Sequence, residues 1–325
     1  MAEKKQSSLL LLEILKKYSD ENHILSTKDL LRLLKDEYGV VLERRAIYSN
    51  LEILAQAGYK ISDTNDNGKG YFLEERQFDK AEVLLLCNAI HASHFISSKQ
   101  SNKLIDTLLK TQSKYDQKEF RDEVYMPNPL KTDNKQLLYN IKLVSEAIRE
   151  KRNIEFTYLK YDSNKKLVSK RIEKYIVEPR YIVYSDSRPY MISTSINHEG
   201  YTHYRLDKIS NAVITDIKSR SLPKTKDAYE YARNKLFMYS GDTQTVTFKC
   251  NETIMDNMID IFGKDMNIIS NASDYFTINV KTSKQAALFL AQQFMTYIEI
   301  LKPTSLRQEY KKQLKEVLNK YKQSL

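Results

Sequence analysis

The sequence predicts a multidomain α+β protein, and three observations carry that expectation. Apolar residues recur at helical spacing through the first 150 residues, punctuated by cap and turn signals. From Ile154 to Ile217, short stretches of period-two alternation are separated by turn-forming residues, the pattern of successive antiparallel strands. Beyond residue 223, strand and helix patterns alternate. A chain of 325 residues has material for several cores. Domains are expected over residues 1–75, 76–150, 151–222 and 223–325.

Leu9, Leu12 and Leu15, with Leu11 and Ile14 between them, predict the apolar stripe of a first helix ending near Tyr18 to Asp20. Ser26-Thr27-Lys28-Asp29 is a capping box that opens a second helix, with Leu30, Leu31, Leu33 and Leu34 on its buried side and Gly39 at its end. A third helix is expected from about Glu43 to Ala57, burying Ile47, Leu51 and Leu54 and exposing Arg44, Arg45, Tyr48, Ser49 and Glu52. Tyr59-Lys60-Ile61-Ser62 and Tyr71-Phe72-Leu73 bracket Asn67-Gly68, a hairpin signal with Lys69 at the tip. Helix, capped helix, helix and hairpin in this order make a winged helix-turn-helix, whose third helix enters a major groove.

Residues 78–150 read as a helical connector. Val83 to Leu86 form one apolar block, Leu104, Ile105, Leu108 and Leu109 another, and Ile141, Val144 and Ile148 fall at helical spacing. Met126-Pro127-Asn128-Pro129 interrupts them as an extended stretch. His91 and His94 stand at i, i+3 without a cysteine or carboxylate set, so a surface or core pair is expected rather than a metal site.

The barrel region is expected to run Ile154 to Lys160, a turn at Tyr161 to Asn164, a return strand from Leu167 to Glu178 ended by Pro179, then Arg180 to Tyr184. Ser185-Asp186-Ser187-Arg188 turns the chain into Tyr190 to Ser193, and Asn197 to Gly200 turns it into Tyr201 to Leu206. Ala212 to Thr215 completes a compact barrel of short strands. After a linker at Ser221-Leu222-Pro223-Lys224, the tail reads as strand Thr245 to Lys249, helix Thr253 to Phe262, strands Met266 to Asn271 and Tyr275 to Val280, helix Ser283 to Gln293, strand Tyr297 to Leu301 and helix Ser305 to Leu318.

The net charge of +10 is uneven. Residues 1–72 hold 11 basic and 11 acidic residues and 73–150 hold 12 of each, whereas 151–222 hold 14 against 8 and 223–325 hold 15 against 11. The surplus in the barrel favours an anionic ligand there. Cys87 and Cys250 are far apart, which excludes a disulfide framework and a zinc ribbon and makes a reducing cytoplasm the expected compartment. The apolar run Leu9 to Leu12 is cut by Glu13 and is neither a secretory leader nor a span, which takes about 20 residues. With 7 glycines and neither GxGxxG nor GxxxxGK[ST], a phosphate-cradling loop is excluded. The chain presents no nucleophile and base at telling spacing, and Ser193, His203 and Asp207 carry little weight as a triad, so no enzyme, cofactor or metal is expected. Arg180, Arg188, Tyr190, Ser193, His203, Tyr204 and Arg205 are instead candidates for ligand binding, because guanidinium forks match phosphates and tyrosines stack on bases. Arg205 and His203 share one face of their strand, as do Tyr190 and Ile192, and Asp207 can pair with Arg205. The competing reading is a solvated strand face.

At Glu178-Pro179-Arg180-Tyr181-Ile182-Val183-Tyr184, Pro189-Tyr190-Met191 and Tyr204-Arg205-Leu206-Asp207-Lys208-Ile209, the sequence resembles the WYL domain of bacterial transcriptional regulators. The naming tripeptide is Trp-Tyr-Leu, so this chain keeps Tyr190, with Pro189 in place of Trp and Met191 in place of Leu. The string Arg44 to Glu52 resembles the family's recognition helix, where a Thr and an Arg-Asp pair usually stand at the positions of Ala46 and Ser49-Asn50. Those departures remove expected phosphate and base contacts. The resemblance implies a small SH3/Sm-like barrel that senses a ligand and a C-terminal domain that helps hold two subunits together. The expected protein is a cytoplasmic repressor that binds an inverted-repeat operator as a homodimer through Arg44, Arg45, Tyr48, Ser49 and Lys69, under control of a nucleotide or single-stranded nucleic acid. The alternatives are a nuclease and a protein-interaction scaffold.

Overall fold

The computed structural model describes residues 2–123, 131–132, 134–185, 188–195, 198–220 and 242–322. The expected extended stretch Met126 to Pro129, the linker Ser221 to Lys224, and Asp186, Ser187 and Asn197 of the expected turns lie outside the described residues. The fold mixes helix and sheet throughout and divides into two compact units, Met1–Lys135 and Gln136–Leu325. Among the described residues no helix is long and apolar enough to cross a membrane.

In the first unit, α1 (Ala2–Tyr18), α2 (Thr27–Tyr38) and α3 (Arg44–Gln56) close on a core of Leu11, Ile14, Leu15, Leu30, Leu34, Ile47, Leu51 and Leu54. Each such side chain contributes about 1.5–3 kcal/mol by leaving water. Ser26 caps α2 reciprocally with Asp29, and Gly39 ends it in the left-handed region. Leu9, expected on the buried stripe of α1, is 63% exposed. The inward face passes through Ser7 and Ser8 instead, and Ser8 Oγ donates to Asn50 Oδ1 at 2.8 Å while Asn50 Nδ2 donates to Ser7 Oγ at 3.1 Å.

β1 (Ile61–Ser62) and β2 (Phe72–Leu73) pair antiparallel as a wing. Asn67-Gly68 does not form the expected tight turn between them. The carboxylate of Asp63 accepts the N–H groups of Asn65 and Asp66 at 2.7 and 3.3 Å, starting a one-turn helix, α4 (Thr64–Asn67), that Gly68 terminates at φ +70°. The capping strength of an aspartate here outweighs the hairpin preference of Asn-Gly. Gly70 passes so close to Leu25 that an added Cβ would stand 2.3 Å from the Leu25 carbonyl oxygen. This approach lets Leu25 and Tyr71 exchange backbone hydrogen bonds of 2.9 and 2.8 Å, which ties the wing to the turn before α2.

α5 (Lys80–Ala92), α6 (Ser98–Leu109) and α7 (Lys114–Glu123) pack Val83, Cys87, Leu109 and Phe120 together. Leu85 and Leu86, expected within one apolar block with Val83, are exposed, because a single helix face can hold only every third or fourth residue. Arg76 joins these helices to α1, donating from Nη1 to the Lys16 carbonyl at 2.9 Å and from Nη2 to that of Ser19 at 2.5 Å.

In the second unit, α8 (Leu137–Glu150) buries Leu137, Leu143, Val144 and Ala147 against a bent six-stranded antiparallel sheet. The strands are β3 (Arg152–Tyr161), β4 (Leu167–Ser169), β5 (Tyr175–Ser185), β6 (Arg188–Ser195), β7 (His198–Arg205) and β8 (Ile209–Lys218). β3 pairs with β8, β5 and β4, and β5, β6 and β7 follow as a meander. The expected return strand from Leu167 to Glu178 is in fact two. It breaks at Lys170 to Lys174, whereas Pro179 lies buried inside β5 opposite Ser193, beside a register shift that spares the missing N–H.

After β9 (Thr243–Asn251) come α9 (Met255–Phe262), β10 (Asn267–Asn271), β11 (Tyr275–Ser283), α10 (Lys284–Phe294), β12 (Ile298–Lys302) and α11 (Thr304–Lys322). The sheet order β10-β11-β9-β12 is that of a split βαβ, ferredoxin-like unit. Its core is Val246, Phe248, Cys250, Phe276, Ile278, Leu290 and Ile300.

Candidate nucleic-acid interface and ligand site

α3 separates its residues by angle. Ile47, Asn50, Leu51 and Leu54 are buried, while Arg44, Arg45, Tyr48 and Ser49 face solvent, Tyr48 being 48% exposed. Asn50 is turned inward onto Ser7 and Ser8, which removes it from the solvent-facing set. Lys69 is exposed on the wing, its backbone N–H held by Asn67 Oδ1 at 2.7 Å.

The seven candidates divide among three places. Arg180 and the strand pair of Ser193 and Thr194 lie at a buried ionic cluster around Glu178, which is 1% exposed. Glu178 Oε2 accepts Arg180 Nη2 at 2.9 Å and Thr194 Oγ1 at 2.7 Å, and Oε1 accepts the Nε and backbone N–H of Arg220 at 2.9 and 3.1 Å. Burial opposes ionisation of Glu178, but the hydrogen bonds from Arg220 and Thr194 and the charge of Arg180 outweigh it and hold the carboxyl down at about 2. Arg180 also donates from Nε to Thr194 Oγ1 at 2.9 Å and from Nη1 to the Arg220 carbonyl at 2.8 Å, so its fork is engaged within the protein. Ser193 is buried against Thr202, with 3.0 Å between their hydroxyls. This cluster clamps β5 and β6 to the chain leaving β8.

Tyr190 and Arg205 are direct cross-strand partners, as are Ile192 and His203, which places Tyr190, His203 and Arg205 on one face. A 3-10 turn over Leu206 to Lys208 then brings Asp207 beneath Arg205, in a two-pronged pair of 3.0 Å (Nε to Oδ1) and 2.6 Å (Nη2 to Oδ2). Tyr158 Oη accepts the Arg205 backbone N–H at 3.1 Å, and burial pushes this phenol up to about 12. Lys208 stands among Arg205, Arg188 and Lys170. Its pKa is lowered first by burial and then by Arg205, with Asp207 opposing. Its ammonium lies 5.7 Å from the centre of the Tyr161 ring, and that of Lys170 lies 6.0 Å from that of Tyr158. Among the described residues these four cations have one carboxylate, Asp207, beside them and tyrosine rings against them, so an anion there relieves repulsion.

Tyr204 faces away from this group, into an aromatic cluster with Phe156, Tyr158 and Tyr175 whose ring centres are 5.1–6.4 Å apart. It also lines a cleft of about 420 Å³ with Arg171, Lys174, Tyr175 and Thr202. The Arg171 guanidinium carbon lies over the Tyr175 ring, 3.6 Å from its centre. Sequence reasoning missed Lys170, Lys208 and Arg171. Lys208 stood within a quoted phrase, but its direction depends on a 3-10 turn that strand alternation does not reveal. Among the described residues no group of three His, Cys, Asp or Glu residues could hold a metal, and Cys87 and Cys250 are buried thiols.

Residues 140–214 match the family model of the WYL domain, so the chain carries a WYL domain from α8 to β8. No curated protein matches the chain. Among solved structures it is similar to proteasome accessory factor B/C (PafBC) of Arthrobacter aurescens, at 15% identity over 98% of this chain and 49% of that one, with a TM-score of 0.28. It is also similar to a CRISPR Cas-related protein, at 14% identity over 98% of this chain and 86% of that one, with a TM-score of 0.38. The chain spans about half the length of the first of these.

Proposed function

We propose that the chain is a DNA-binding transcriptional regulator whose WYL domain senses a nucleotide or single-stranded nucleic acid. The observation that carries the reading is the division of α3, in which Arg44, Arg45, Tyr48 and Ser49 form a polar, cationic face opposite a fully packed one. Such a helix offers forks for base edges and phosphates, with Lys69 on the wing as a further phosphate contact. The effector site is the face of Tyr190, His203 and Arg205 together with Arg188, Lys170 and Lys208. There a phosphate takes the cations and a base stacks on tyrosine. In this reading the protein is a cytoplasmic repressor that binds an inverted repeat as a homodimer, since a neutral winged helix gains affinity from a second half-site.

The test is selection of bound duplexes from a random pool, followed by titration of the chosen duplex with and without short single-stranded DNA. A salt-dependent, sequence-preferring complex that the single strand strengthens or releases supports the reading. Cleavage of the duplex instead would favour a nuclease, and no retained duplex would favour a protein-binding scaffold.

A further inference from the structure

We infer that the cleft on the Tyr204 side of the barrel is a second ligand site, separate from the Arg205 face, that takes an aromatic monocarboxylate. Its volume of about 420 Å³ is in the range of small-molecule sites. Thr202 and Tyr204 of β7 line it, whereas His203 and Arg205 alternate to the other side, so the two sites share a strand but no lining residue. Tyr175 and Tyr204 meet edge to face in its wall, with ring centres 5.5 Å apart and planes at 73°. Beside them Ile176 is 47% exposed. A planar apolar group set in the angle between the two rings meets a ring face and a ring edge together and takes the isoleucine out of water.

The charge of the cleft selects the rest of the ligand. Arg171 and Lys174 line it, and among the described residues no carboxylate does. The Lys174 ammonium is matched by Glu155 at 2.6 Å, whereas Arg171 pairs with no acid among the described residues. One positive charge is therefore left over, which a monocarboxylate balances, while the four cations beside Asp207 on the Arg205 face suit a phosphate. Arg171 is also held before any ligand arrives. Its Nε donates to the Glu173 carbonyl at 3.1 Å and its Nη2 to that of Lys174 at 3.0 Å, with the guanidinium carbon over Tyr175. Its loop is pinned in turn, because the Lys170 N–H donates to the Tyr158 carbonyl of β3 at 2.8 Å and Ser169 Oγ donates to the Arg171 carbonyl. Nη1 has no acceptor among the described residues and is left for a carboxylate, so a bound acid orders little that is not already ordered.

The experiment is calorimetric titration of the full chain with phenylacetate, acetate and phenethyl alcohol, with melting curves in parallel. Acetate has the charge without the ring, and the alcohol has the ring without the charge. Saturable heat and a raised Tm with phenylacetate, and neither with the other two, are expected. Arg171→Ala removes the unmatched charge and Ile176→Glu sets a like charge in the apolar wall, so each should weaken phenylacetate binding at least several-fold. Both side chains are exposed, and Ile176→Glu decides the matter should Arg171→Ala loosen its loop and lower the Tm of the unliganded protein. Equal responses to phenylacetate and acetate, no saturable heat at millimolar phenylacetate, or unchanged affinity in Ile176→Glu would overturn the assignment. So would loss of binding in Arg205→Lys with full binding in Arg171→Ala, which would put the acid on the Arg205 face.

Discussion

Arg205 and Asp207 form a two-pronged ion pair across a 3-10 turn, with the carboxylate buried and the guanidinium 23% exposed. Asp207 therefore both orients the fork and competes with any anion for it. Asp207→Asn should lower stability by about 2 kcal/mol, because a partly buried guanidinium loses its counter-charge. In the same variant, affinity for an anionic effector should rise or hold, whereas Arg205→Lys should lose it, since an ammonium cannot reproduce the fork. Melting curves and effector titration on the two variants check both effects.

Glu178 supplies a pH dependence with a definite sign. Its carboxyl ionises at about 2 in the folded chain against an ordinary 4.5, so its contribution is fully present above 4.5 and is lost as pH falls towards 2. At neutral pH this contribution is about 3 kcal/mol. Glu178→Gln should lower the Tm at pH 7 and flatten its decline between pH 4.5 and 2, as followed by circular dichroism. A variant as acid-sensitive as the wild type would show that the Arg180 and Arg220 clamp is not what acid breaks.

The winged unit should respond to two changes that touch no DNA. Asn50→Ala removes the buried amide that bonds Ser7 and Ser8 and leaves a void under α1, which should cost about 1–3 kcal/mol. Gly70→Ala sets a Cβ against the Leu25 carbonyl, forces the wing strand away and should cost at least as much. Denaturant unfolding measures both.

Where an element has its own punctuation, the sequence was enough to place it. Ser26 and Gly39 bracket α2 as expected, and the tail's alternation of strand and helix survives almost residue for residue. The barrel was legible as strands but not in its breaks, because Pro179 looks like a terminator and only a register shift opposite Ser193 makes it tolerable within β5. The site was legible in residue type rather than in grouping. Arg180 and Arg205 look alike in sequence, yet two arginines share a buried Glu178 at the first, while half-buried cations stand around the second and its partner Asp207. Likewise Asn50 and Ser49 are adjacent, and only the packing of α1 sends one inward.

The central claim is that the solvent-facing side of α3 reads duplex DNA, and fluorescence anisotropy on a selected duplex, at fixed salt, tests it most directly. Arg44→Ala and Arg45→Ala should each keep the wild-type Tm, since both side chains are exposed. A residue reading a base edge should weaken binding by about 1–3 kcal/mol and relax preference at one base pair, and a residue touching phosphate should lower the salt slope by about one. Unchanged affinity in both variants, with the fold intact, would contradict the claim and remove α3 from the interface.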